Sequence, residues 1–257
     1  MGTTGSALIN LLAGTVRGWR GTAVRNRNAQ KPQRLLKLYD IEVSPYCRLV
    51  REVLTELDLD VLILPCPKGG RRFRQEAEAI GGKQQFPLLV DDNTGTILYE
   101  SGDIVGYLVR TYAARPEKFA KRPRQLEVFT SLLSSVMMYR PGGLTGLTAT
   151  PSRLPEKPLT LYSFESSPFS KPVRARLCEL ELPYVLKNTG KGATSDMGPL
   201  SFRDKLFKGP MGTTPNRAWL AEQTGRVQVP YLIDENTGAA MYESADILAY
   251  LDATYRL

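Results

Sequence analysis

Two short stretches carry the side chains best suited to sulfur or carboxylate chemistry: Ile41-Glu42-Val43-Ser44-Pro45-Tyr46-Cys47 and Phe164-Glu165-Ser166-Ser167-Pro168-Phe169-Ser170. Each follows an apolar, strand-like run (Leu35 to Tyr39; Leu159 to Tyr162) and precedes a segment of helical period. Leu49, Val50, Val53, Leu54 and Leu57 fall on one helical face after the first stretch; Val173, Leu177 and Leu180 do so after the second. A strand that feeds a Ser-Pro turn into a helix presents the helix's first free N–H groups at the strand's carboxyl end, where the dipole also favours negative charge. Such a place suits a thiolate or a carboxylate. Ser at the N-cap with Pro next to it is equally the ordinary grammar of a helix start, and both readings stand at this point.

Composition narrows the chemistry. The chain of 257 residues has no histidine, which removes histidine-based triads, histidine general bases and most zinc sites. No apolar run reaches the ~18 residues needed to span a bilayer. Cys47, Cys66 and Cys178 are widely spaced, with no Cys-x-x-Cys, so a soluble protein of a reducing compartment is expected. The net charge of +8 is localised: Arg17, Arg20, Arg25, Arg27, Lys31, Arg34 and Lys37 lie in an acid-free leading segment, and the rest of the chain is nearly balanced. A basic arm of this kind can meet an acidic protein partner, whereas nucleic acid is disfavoured because no stacking aromatics or binding motif accompany it. It also has the composition of an organelle transit peptide, which would make the compartment plastid or mitochondrial rather than cytoplasmic. Against that, Leu11-Leu12 through Tyr39 has a counterpart in Leu132-Leu133 through Tyr162, so the arm reads as part of a repeated unit.

The elements that position the two turns repeat in the same order. In the first unit, strand Leu35 to Tyr39 and a helix from Pro45 precede a strand at Val61 to Leu64. A helix at Arg71 to Ala79 follows, then a proline-led strand Gln85-Phe86-Pro87-Leu88-Leu89-Val90. A turn at Asp91-Asp92-Asn93-Thr94-Gly95, a return strand and a helix from Ser101 complete it. In the second unit, Val229-Pro230-Tyr231-Leu232-Ile233, the turn Asp234-Glu235-Asn236-Thr237-Gly238 and Tyr242-Glu243-Ser244 match their counterparts. The reading is therefore an α/β chain of two β-α-β-α-β-β-α units, each led by a short helical arm. A basic arm spans 1–34, a first domain 35–114, a linker with an arm helix 115–158, and a second domain 159–257 with an insertion near 192–226.

These residues resemble the thioredoxin-like N-terminal domain of glutathione transferases and the glutaredoxins, in tandem. The resemblance implies glutathione as ligand or substrate and no metal. It places Ser44 and Ser167 where these families keep the thiol-activating Ser or the nucleophilic Cys, and Pro87 and Pro230 at the cis-proline. Phe86 and Val229 would then offer backbone hydrogen bonds to the cysteinyl part of glutathione, and Glu100-Ser101 and Glu243-Ser244 would hold its γ-glutamyl end. Capping is the competing role for both Glu-Ser pairs, with Asp103 and Asp246 close behind. Cys47 occupies only the fourth position of the redox turn, so dithiol exchange cannot run within either turn. Cys47 is left either as a helix-start thiolate, conceivably paired with Cys66, or as a small buried residue; Cys178 is assigned to the core. The helical domain that builds the electrophile pocket of transferases has no counterpart, so that pocket is expected to be absent or formed between the units. Three functions follow: a glutathione-handling transferase or thiol transferase, a non-catalytic thioredoxin-fold scaffold or subunit, and a monothiol redox protein using Cys47.

Overall fold

A computed structural model describes residues 19–25, 30–119, 139–140, 143–196 and 212–257. The expected arm helices (5–16 and 126–139) lie outside these residues apart from position 139, and so does the middle of the expected insertion, 197–211.

In the first repeat, β1 (Leu36–Asp40) leads into α1 (Pro45–Glu56), then β2 (Val61–Pro65), α2 (Phe73–Gly81), β3 (Leu88–Asp91), β4 (Thr96–Leu98) and α3 (Ser101–Tyr112). A short hairpin, β5 (Tyr139–Arg140) and β6 (Gly143–Leu144), precedes the second repeat. That repeat runs β7 (Leu159–Ser163), α4 (Ser170–Glu179), β8 (Tyr184–Asn188), α5 (Pro215–Thr224), β9 (Tyr231–Asp234), β10 (Ala239–Met241) and α6 (Ser244–Tyr255). Both repeats have the β-α-β-α-β-β-α order of a thioredoxin-like domain.

The repeats share a single eight-stranded sheet, ordered β10-β9-β7-β8-β2-β1-β3-β4. Within each repeat the first two strands are parallel and the later ones antiparallel. The repeats meet where β2 pairs antiparallel with β8, with Val61, Leu62 and Ile63 opposite Leu186, Val185 and Tyr184. Leu62 and Val185 occupy equivalent places in the two copies, so a pseudo-twofold axis passes between them. β2 and β8 are thereby removed as exposed edges, which an isolated repeat would have to leave unpaired.

Burial follows the sequence pattern. Leu36, Leu38, Val50, Val53, Leu54, Ile104 and Leu108 pack beneath α1 and α3, and Leu159, Leu161, Val173, Leu177, Ile247 and Leu251 form the matching layer beneath α4 and α6. On the opposite face, Tyr39, Leu64, Cys66, Leu88 and Val90 pack with Ala77 of α2. Each hairpin turn is anchored alike: Tyr107 and Tyr112 donate to the Asp91 carboxylate, and Tyr250 and Tyr255 donate to that of Asp234.

The arms cross over. The backbone of Thr22 and Val24, ahead of the first repeat, bonds to Lys191 after β8. The backbone of Leu147 and Ala149, ahead of the second repeat, bonds to Lys68 after β2. Gly21 (φ +69) and Gly146 (φ +83) pass close to neighbouring elements; a Cβ on Gly21 would lie 2.8 Å from the Glu165 Cβ and 3.1 Å from the Glu52 Cα. The described part of the arm is thus structure that clasps the repeat interface.

Candidate functional site

In the first repeat, Ser44 is the N-cap of α1. Its Oγ accepts a hydrogen bond from the Cys47 N–H at 3.4 Å, with Pro45 in the first turn. The hydroxyl proton is not consumed by this contact, and Ser44 is half-buried. In the second repeat the same turn is tied more tightly. Ser167 Oγ accepts from both the Ser170 N–H (3.2 Å) and the Ser170 hydroxyl (2.9 Å) and is only 1% exposed. Gly21 and Thr22 of the crossing arm bond to the adjacent Ser166. Here α4 starts at Ser170, beyond Pro168 rather than at it.

The bonds Phe86–Pro87 and Val229–Pro230 are both cis. Phe86 is half-buried, and its ring lies under the Arg74 guanidinium at 4.8 Å; Arg74 also donates to the carbonyl of Cys66. Val229 is likewise half-buried.

Glu100 and Glu243 stand immediately before α3 and α6, at φ +62 and +64. An extended residue other than glycine at positive φ is strained by roughly 1–3 kcal/mol and persists only where its surroundings impose it. Here the Gln85 amide donates to the Glu100 carboxylate at 2.5 Å, and Gln228 does the same for Glu243 at 2.9 Å. Neither glutamate caps its helix through its side chain. The serines that follow differ. Ser101 is 2% exposed, and its Oγ has no hydrogen-bond partner among the described residues; Ser244 is half-buried.

Of the two readings of Cys47, helix-start thiolate and small buried residue, its surroundings fit the second. It is fully buried, and burial followed by the nearby Asp40 charge pushes its thiol far up, outweighing Arg51, Ser44 and the Ile41 N–H. A helix N-terminus lowers a thiol's pKa only where desolvation does not win. Cys66 and Cys178 are also buried, with thiols pushed upward first by burial. All three cysteines are free, so the conceivable Cys47–Cys66 disulfide is not formed.

Sequence reading missed the charges beneath the turns. Arg51 of α1 donates to both Asp40 oxygens (2.6 and 2.7 Å), to the Glu42 carbonyl (2.8 Å) and, through Nε, to Glu165 of the second repeat (2.9 Å). Its counterpart Arg174 of α4 donates to Glu42 of the first repeat (3.1 and 3.2 Å), to the Ser163 hydroxyl (3.0 Å) and to the carbonyls of Phe164 and Glu165 (3.2 and 3.0 Å). These side chains are at most 2% exposed. Burial raises Asp40 to about 6 despite Arg51, whereas Arg174 and Arg51 outweigh burial at Glu165 and hold it at about 2. Burial and the neighbouring Arg48 bring Lys171 down to about 7. The available signal was the recurrence of Glu42 and Arg51 as Glu165 and Arg174 at matching places in the two copies.

Several basic residues of the described arm pair within the molecule: Arg20 and Arg25 with Glu56, Lys31 with Asp58, and Lys37 with Asp92. Among the described residues no helix is long and apolar enough to cross a membrane.

Residues 38–116 and 161–257 both match the family model described as glutathione S-transferase, N-terminal domain. The chain belongs to that family and carries its domain twice. Among solved structures, two of the Bombyx mori glutathione transferase BmGSTD1, one in complex with GTT, share 28% identity over 43% of this chain, with a TM-score of 0.32. The match covers 51% and 50% of those two chains, so this chain spans about half the length of that transferase. The Leishmania protein TDR1, described as a unique trimeric glutathione transferase, is 14% identical over 86% of this chain and 67% of its own, with a TM-score of 0.28. No curated protein matches the chain.

Proposed function

We propose that the chain binds glutathione at its first repeat and holds the thiol against Ser44. The observation that carries this reading is the Ser101 hydroxyl, buried and without a partner at the start of α3. An unsatisfied buried hydroxyl costs about 1–3 kcal/mol, which a carboxylate arriving at that helix N-terminus would offset once a rotation of the Ser101 side chain turns the hydroxyl out to it. The γ-glutamyl carboxylate of glutathione is such a group. Phe86, ahead of cis-Pro87, offers backbone groups to the cysteinyl part, and Glu100 faces the γ-glutamyl amine. Ser44 has a hydroxyl proton to donate to sulfur, and a donor beside a helix N-terminus lowers a thiol's pKa by roughly one to two units. That favours the thiolate for attack on an electrophile or a mixed disulfide.

The second repeat supports the scaffold reading for itself. Ser167 is buried and bonded to Ser170, and the arm lies on its neighbour Ser166, so its hydroxyl is less open than that of the half-buried Ser44. In this account one repeat binds and the other supports it.

Calorimetry with reduced glutathione tests the reading. The expected result is one molecule bound per chain, with affinity about tenfold lower in Ser101→Ala. The absence of heat at millimolar glutathione would refute it.

A further inference from the structure

The two repeats are joined at their turns as well as along β2 and β8. Each leading-helix arginine spends one edge of its guanidinium on the turn of its own repeat and another on a glutamate of the other. Arg51 Nη2 holds the Glu42 carbonyl, two residues before Ser44, while Arg51 Nε rests on the Glu165 carboxylate of the second repeat. Arg174 mirrors this, with Nη2 on the Glu165 carbonyl and Nε on the Glu42 carboxylate. The remaining charges around this square are Asp40, Glu52, Arg48 and Lys171; Arg48 bonds Glu52 at 3.2 Å and lies 3.8 Å from Glu165. A planar, fork-shaped cation fixed on several sides orders what it touches, and in a buried site its position is set by the partner carboxylates.

From this geometry we infer that Glu165 of the second repeat is a positioning residue for the glutathione site of the first, acting through Arg51 and the Glu42 carbonyl on the Ser44 turn. The inference rests on the proposed binding at the first repeat, and it explains why a repeat whose own turn is buried still supports function. Glu165 touches no ligand. It aligns the guanidinium that fixes the backbone entering α1, and through it the direction in which the Ser44 hydroxyl points. Loss of its charge frees the Nε edge of Arg51, which can then swing wholly onto Asp40 and release the Glu42 carbonyl.

Glu165→Gln in the full chain keeps the size of the side chain, removes its charge and replaces one acceptor oxygen by a donor, and it tests the inference by two independent readouts. In hydrogen exchange, amides of residues 41–47 in the first repeat should speed up over the parent at least tenfold more than those of 88–112, whose change reports only the loss of global stability. In titration, the thiolate absorbance of bound glutathione should appear at higher pH, with affinity at least tenfold weaker. Arg51→Lys, which cannot span Asp40, Glu165 and the Glu42 carbonyl together, should reproduce both effects and serves if Glu165→Gln does not fold. Unchanged exchange at 41–47 in a folded variant overturns the inference. If the parent chain binds no glutathione, the proposed function falls, and the exchange comparison still decides whether Glu165 positions the Ser44 turn. An increase at 41–47 no larger than that across the rest of both repeats would assign Glu165 a purely structural role and also overturn it.

Discussion

At the scale of single residues, the decisive contrast is between two serines with the same sequence neighbours. Ser44 gives one lone pair to the Cys47 N–H and keeps its proton, whereas Ser167 is enclosed by Ser170 and the arm-bound Ser166. Replacing Ser170, which stands where the first repeat has Cys47, frees one acceptor contact on Ser167 but leaves the arm in place. Ser170→Ala is therefore expected to leave glutathione stoichiometry unchanged in calorimetry. Glu165 makes a pH prediction. Its folded value, held at about 2 by Arg174 and Arg51 against burial, lies below the ordinary 4.5. The stability it contributes is therefore fully present above about pH 4.5 and is lost as pH falls toward 2. Glu165→Gln should destabilise the fold by about 3 kcal/mol at neutral pH, because it leaves buried arginines short of a partner charge. In urea titrations that difference should shrink as the pH is lowered through this window. A difference that stays constant with pH would show that the carboxylate's charge does not matter. Asp40 carries the opposite sign: burial raises it to about 6, so its ionisation costs stability as pH rises from about 4 to 6.

At the scale of elements, the strands, the helices and their order were legible in the sequence, because period-two and helical patterns occur twice and each copy checks the other. The proline-led strands resembled the family's cis-proline, and both X-Pro bonds are cis; the positive φ of both glutamates had no such signal. The reactive reading of Cys47 had no such support, since a position in the first turn of a helix says nothing about burial. The charge square was invisible for a different reason. Glu42, Arg51, Glu165 and Arg174 look like a solvated face within either repeat, and only their juxtaposition across the pseudo-twofold axis makes them interior. The arm's crossing was equally hidden, although Gly21 signals a close approach in hindsight. Gly21→Ala should cost about 1–3 kcal/mol, because the new Cβ meets Glu165 and Glu52 while the backbone is held at φ +69. The same variant should expose Ser166 to faster amide exchange; an unchanged melting temperature would show that the arm does not clasp the interface.

At the scale of the whole molecule, a continuous eight-stranded sheet and a core shared by both repeats argue for cooperative behaviour. Denaturation should give one transition by both fluorescence and circular dichroism, with no population in which only one repeat is folded. Val185→Pro, which removes a ladder donor at the centre of the β2–β8 pairing, should separate the transition into two or lower its midpoint sharply. The three cysteines provide a simple check on integrity: buried and neutral, they should react with a thiol reagent only as fast as the chain opens. This architecture uses duplication asymmetrically. The first copy has a half-buried serine turn and, at the start of α3, an unsatisfied hydroxyl, while the second buries its turn and puts the Glu165 carboxylate on Arg51. The measurement that bears most directly on this account is glutathione calorimetry on the intact chain, run beside Ser101→Ala and Ser244→Ala. The account predicts one site per chain, weakened about tenfold by Ser101→Ala and untouched by Ser244→Ala; two equal sites, or a loss caused by Ser244→Ala instead, would contradict it.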